Sequence, residues 1–260
     1  MKKIVLAFAL VYTLFSCEKD EIGANDKNTL SLEFENLVGA DPLVLNTKTY
    51  KNASNEDFTV STFNFFVSNI TLKKTDGTSL KLDNQYFLVK QSDPKSLAIE
   101  LTDIPAGDYS SISYVVGVDS AKSTSDISQR TGVLDPASYG TDGMYWSWNS
   151  GYIFFKLEGS SNASTAPDKH FKYHIGGFGG MSAATANNLK TIEINLKNNP
   201  ATVRSNIAPV VHISTDIMEV FGSSIKISNQ NEIMSPTLGL TVSKNYQNMF
   251  SLEHVHNDKM

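Results

Sequence analysis

Phe63-Asn64-Phe65-Phe66-Val67-Ser68-Asn69-Ile70-Thr71-Leu72, followed closely by Asp76-Gly77, is the stretch on which the fold turns. Phe63, Phe65, Val67 and Asn69 share one parity, and a period of two is the signature of a strand with one buried face. Asp76-Gly77 readily takes the positive φ values of a tight hairpin turn, so the run folds back onto Leu80 and Leu82.

Working outward, the same pattern recurs. Leu30, Leu32 and Phe34 alternate with Ser31 and Glu33, and short apolar runs bounded by turn residues follow at 86–89, 97–101, 109–118, 152–158, 170–175, 189–196, 210–214, 225–227 and 238–242. Helical periodicity is nearly absent after the first sixteen residues, with 215–222 the one candidate for a short helix. Ile104-Pro105-Ala106-Gly107-Asp108 reads as a connection, because proline has no N–H to give a central ladder. About ten short strands with this spacing predict an all-β fold, an antiparallel β-sandwich with long loops and at most one or two short helices. The stretch 121–142, rich in Ser, Thr, Gly and Pro, is expected to be a long loop, and loops of this length are usually functional or mobile.

The start of the chain carries a different message. Lys2 and Lys3 precede an apolar run from Ile4 to Phe15, twelve residues where a membrane-spanning helix needs about 20. Residues 1–16 therefore read as a signal peptide. Leu14-Phe15-Ser16-Cys17 resembles a bacterial lipobox, which makes Cys17, the single cysteine of the 260 residues, the expected lipidation site. Residues 17–28 are polar and mixed in charge, as expected of a flexible tether. Glu18-Lys19-Asp20-Glu21 within them resembles the export signal of surface lipoproteins in Bacteroidetes. The expected product is one domain, 29–260, lipid-anchored to the outer membrane in the cell envelope. A net charge of −5 argues against a nucleic-acid partner.

All five histidines lie in the second half, at 170, 174, 212, 254 and 256. On a strand His254 and His256 share a face about 6 to 7 Å apart, a spacing from which two imidazoles can converge on one ion. Zinc and copper both accept imidazole. Both tryptophans lie in Gly143-Met144-Tyr145-Trp146-Ser147-Trp148-Asn149-Ser150-Gly151-Tyr152. In an extended segment Trp146 and Trp148 face one way, as core, as a sugar-stacking platform or as neighbours of a metal. The run His174-Ile175-Gly176-Gly177-Phe178-Gly179-Gly180 lacks the Lys-Ser/Thr of a phosphate loop and reads as a turn or close backbone approach. No Gly-x-Ser-x-Gly elbow or distinctive carboxylate pair occurs, so the chain is expected not to be an enzyme.

Several segments together resemble the MbnP family of copper-binding proteins. They are Pro42-Leu43-Val44-Leu45 with Tyr50, Phe65 to Leu72, Val116-Gly117-Val118-Asp119, Leu134-Asp135-Pro136, the tryptophan segment with Lys156-Leu157-Glu158-Gly159, Phe171 to Gly176, and Met249-Phe250 through His254-Val255-His256-Asn257. The resemblance implies an extracytoplasmic β-rich domain that binds copper through histidines, here His174, His254 and His256. It also implies a dihaem partner oxidase that converts a tryptophan, Trp146 or Trp148, to kynurenine. Relatives often carry a histidine in the first strand, where this chain has Phe34-Glu35-Asn36-Leu37. The expected function is an envelope-anchored, metal-binding and most plainly copper-binding lipoprotein. The alternative is a glycan- or peptide-binding module that uses the tryptophans and no metal.

Overall fold

In the computed structural model, residue 23 and residues 25–259 are described. The expected signal peptide, Cys17 and most of the tether lie outside these residues. In chain order the strands are β1 (Lys27–Val38), β2 (Asp41–Pro42), β3 (Tyr50–Lys51), β4 (Asp57–Lys74), β5 (Ser79–Lys81), β6 (Tyr86–Lys90), β7 (Ala98–Pro105) and β8 (Gly107–Val116). There follow β9 (Ile153–Ser160), β10 (His170–Gly176), β11 (Lys190–Asn195), β12 (Ala201–Val203), β13 (Val210–Asp216), β14 (Glu232–Ile233) and β15 (Phe250–His256). β1 takes in the last two residues of the expected tether, because Lys27 and Asn28 pair with Pro105 and Ile104.

Two sheets form the sandwich. The smaller runs β15-β13-β1-β2, with β7 also on β1; the larger runs β11-β8-β4-β9-β10-β14, with β3, β5 and β6 on β4 and β12 on β8. Most pairings are antiparallel, as expected, but β1 lies parallel to β13 and β10 parallel to β14. A parallel pair needs a long connection, and most of the chain separates β1 from β13. The interior between the sheets is aromatic: Phe34 of the smaller sheet meets Phe65 and Tyr114 of the larger edge-on, with ring centroids 5.4 and 6.0 Å apart. Such pairs add about 0.5–1.5 kcal/mol each beyond the burial of their area.

β4 is the central strand, and one feature of it departs from simple alternation. Asn69 takes φ 52°, and the ladder to β8 shifts register between Ser68 and Thr71. Asparagine tolerates this left-handed conformation, and the resulting bulge moves the interior face from Phe63, Phe65 and Val67 to Ile70 and Leu72, leaving Asn69 out of it. Phe66, on the opposite face, is also fully buried, in a second cluster with Leu134, Tyr139, Met144, Trp146, Tyr152, Phe154 and Phe178. The segment expected as a free loop is the cover over that face. It folds into α1 (Ser120–Ser123) and three short 3-10 turns, pinned by the buried guanidinium of Arg130, which donates to the Ser125 carbonyl and the Tyr145 hydroxyl.

Three local expectations are corrected. Residues 238–242 lie in a helix, α3 (Pro236–Tyr246), and not in a strand: Ser235 caps its N-terminus, Pro236 opens the first turn, and Gly239, Val242, Ser243 and Tyr246 bury one helical stripe. Residues 225–227 form turns, in which the Ile227 and Ser228 amides donate to the Glu56 carboxylate at 2.7 and 3.0 Å. In 215–222 only α2 (Met218–Phe221) is helical, since Thr215 and Asp216 complete β13. The described residues thus hold three α-helices, against the one or two expected.

Candidate metal centre

β13 alternates strictly: Val211, Ile213 and Thr215 are buried, so His212 points from the outer face of the smaller sheet. β15 reaches the same face by a different device. Parity alone would place Leu252, His254 and His256 on one side, yet Leu252 contacts the interior and the histidines do not. The reason is a bulge at Glu253: Leu252 pairs with Ile213, but His254 pairs with His212, Val255 with Val211 and His256 with Val210. One extra residue re-aims the two imidazoles outward, a common use of bulges beside functional sites.

His212 and His254 therefore face each other across the ladder. Their rings stack at 4.2 Å with an interplanar angle of 11°, and His256 stands edge-on to both. The Nε2 atoms of His254 and His256 are 2.9 Å apart, and one ring nitrogen from each of the three residues lies within 4.8 Å of the others. Imidazole nitrogens on one ion at about 2.0–2.1 Å would lie about 3.3 Å apart at a tetrahedral angle. Small ring rotations bring the three to that spacing, so the residues present fit a zinc- or copper-class ion. Carboxylates surround the group. Glu33 of β1 lies opposite His212, and Glu35 lies against Glu253, a hydrogen-bonded contact that, with partial burial, raises the Glu35 pKa.

His174 is not part of this group. It stands on β10 in the larger sheet, almost fully buried, with Nε2 2.6 Å from Glu158 Oε1. The Nζ of buried Lys156 lies 3.7 Å from the same oxygen and donates to the Asp142 carbonyl. The His174 hydrogen bond, helped by the Lys156 charge, outweighs desolvation and holds the Glu158 pKa at about 2. His170 is exposed and pairs with Asp168. Of the three implied ligands, then, the fold joins His254 and His256, adds His212, and gives His174 a charged partner of its own. His212 had a legible signal in its outward parity on 210–214; its partner strand did not.

The tryptophan segment is a tight hairpin closed by the Tyr145–Tyr152 bridge, with the Trp146 amide donating to the Gly151 carbonyl. The indoles stack with centroids 5.0 Å apart; Trp146 is buried, whereas Trp148 is 45 % exposed. Gly176 makes this possible. A Cβ there would lie 2.4 Å from the Tyr152 carbonyl oxygen and 2.7 Å from the Trp146 ring, so the glycine run is indeed a close backbone approach.

A two-sheet, all-β domain defines the class, a β-sandwich whose outer face gathers three imidazoles with the geometry to hold a metal ion. The sequence pattern of the MbnP family matches residues 27–235, most of the chain, and the chain belongs to that family. His254 and His256 lie beyond the matched segment. Among solved structures, MbnP from Methylosinus trichosporium is similar in fold, with a TM-score of 0.53 and 14 % identity over 78 % of this chain and 80 % of that one. No curated protein matches the chain.

Proposed function

We propose that this protein is a non-enzymatic, envelope-anchored lipoprotein that captures or buffers copper outside the cytoplasm, held to the outer membrane by acyl chains on Cys17. The observation that carries the reading is the convergence of His212, His254 and His256 on one solvent-facing patch of a rigid sheet. Copper sits high in the affinity order of imidazole sites. These three residues would hold the ion, and an outward-facing patch leaves it open to exchange with a donor or recipient. Family membership supports the copper assignment. A dihaem partner oxidase belongs to the same reading, and Trp148 is the indole more accessible to it.

The test is metal analysis and calorimetry on the purified protein. About one copper ion per chain is expected, lost when His212, His254 or His256 is changed to Ala and kept in His174→Ala. Absence of binding, before and after exposure to a partner oxidase, refutes the reading. Mass spectrometry of protein from its native envelope reads tryptophan oxidation directly. Glycan or peptide binding that is lost in Trp148→Ala and indifferent to metal would establish the alternative function.

A further inference from the structure

Each of the three imidazoles has its own carboxylate on the Nδ1 side. Glu33 Oε2 is 3.8 Å from His212 Nδ1, Glu253 Oε1 is 3.5 Å from His254 Nδ1, and Asp258 Oδ2 is 3.4 Å from His256 Nδ1. The three acids come from separate places: β1, the bulge of β15, and the segment just past β15. These contacts are longer than ordinary hydrogen bonds, and the negative charge they place beside Nδ1 favours a proton there over one on Nε2. The Nε2 atoms of His254 and His256 face each other at 2.9 Å, within hydrogen-bond reach, so one ring can donate to the other. A cation bound there replaces that single hydrogen bond with a bond to each nitrogen.

From this we infer that the site selects a divalent ion, Cu(II) ahead of Zn(II) and both well ahead of Cu(I), and that Glu33, Glu253 and Asp258 set the preference. The inference rests on the metal-binding reading above and concerns the class of ion. Three nearby negative charges attract a doubly charged ion more strongly than a singly charged one. The donors are imidazoles with no sulfur among them, whereas thiolate and thioether ligands are what select Cu(I). Met249, next to β15, is buried in the interior cluster and turned away from the histidines. The order of Cu(II) over Zn(II) follows the general affinity series for divalent ions.

The experiment uses the whole protein and a triple variant, Glu33→Gln with Glu253→Gln and Asp258→Asn, which keeps all three imidazoles. Cu(II) and Zn(II) affinities are measured by calorimetry with competing chelators, and Cu(I) affinity by anaerobic chelator competition. Removing a hydrogen-bonded partner of a metal-ligating histidine costs about 10- to 100-fold in affinity, and each of these longer contacts contributes less. With all three charges removed together, the variant should lose about 10-fold for Cu(II) and Zn(II) and much less for Cu(I), while the EPR spectrum of bound Cu(II) still shows nitrogen ligation. Tighter binding of Cu(I) than of Cu(II) by the unaltered protein overturns the inference, and so does an equal loss for all three ions in the variant; both outcomes leave the metal-binding reading standing. No binding of any ion by the unaltered protein overturns both.

Discussion

Glu158→Gln separates the buried charge cluster of the larger sheet from the histidine patch of the smaller one. Glutamine keeps the shape of the side chain but removes the charge facing His174 and Lys156. A carboxyl moved from its ordinary 4.5 to about 2 represents roughly 3 kcal/mol of stabilisation of the folded state. The side chain is mostly shielded from solvent, so screening removes only part of this. For a domain of this size the melting temperature should fall by about 6–12 °C. The sign of the pH dependence follows from the depressed pKa. The contribution is fully present above 4.5 and is lost as pH falls towards about 2, because protonation then removes the charge from the native protein as well. Urea unfolding of both proteins near neutral pH should show the full gap, and the gap should narrow steadily below about pH 4.5 and close near pH 2. A neutral-pH difference under about 0.5 kcal/mol, or a gap that does not change across that window, refutes the reasoning. Metal affinity should be unchanged, since the cluster and the patch lie on different sheets.

Trp146→Ala should destabilise by about 3–5 kcal/mol, as expected for a buried indole, whereas Trp148→Ala should cost far less; urea unfolding followed by far-UV circular dichroism compares them. Gly176→Ala forces a methyl group against the Tyr152 carbonyl and the Trp146 ring, at about 1–3 kcal/mol, and should alter the near-UV spectrum of the stacked indoles. Tyr246→Phe removes a 2.6 Å hydrogen bond to the Asn188 carbonyl inside the core; the unpartnered oxygen should cost about 1–3 kcal/mol in thermal unfolding.

The pattern of residues was enough for the fold class and for most strands, because parity is a local property: Leu30, Leu32 and Phe34 are buried in β1 as their alternation predicts. It failed where a local choice had two solutions. Residues 238–242 read as a strand until the Ser235 cap and the buried stripe of α3 are seen, and a short apolar run does not by itself distinguish the two. The cover over Phe66 reads as a loop in the sequence because its burial comes from contacts with Phe66 itself and with Phe178, both distant along the chain.

The candidate site divides the same way. By sequence alone, His254 and His256 share a face, since that statement concerns residues two apart on one strand; the tryptophans instead stack within a hairpin turn, one buried and one exposed. Which third histidine joins the pair was decided only by tertiary structure. It depends on β13 lying beside β15, and on the bulge at Glu253 that turns both histidines away from the core towards His212. Strand neighbours and bulges are settled by burial over the whole sandwich, and no stretch of the chain encodes that balance locally.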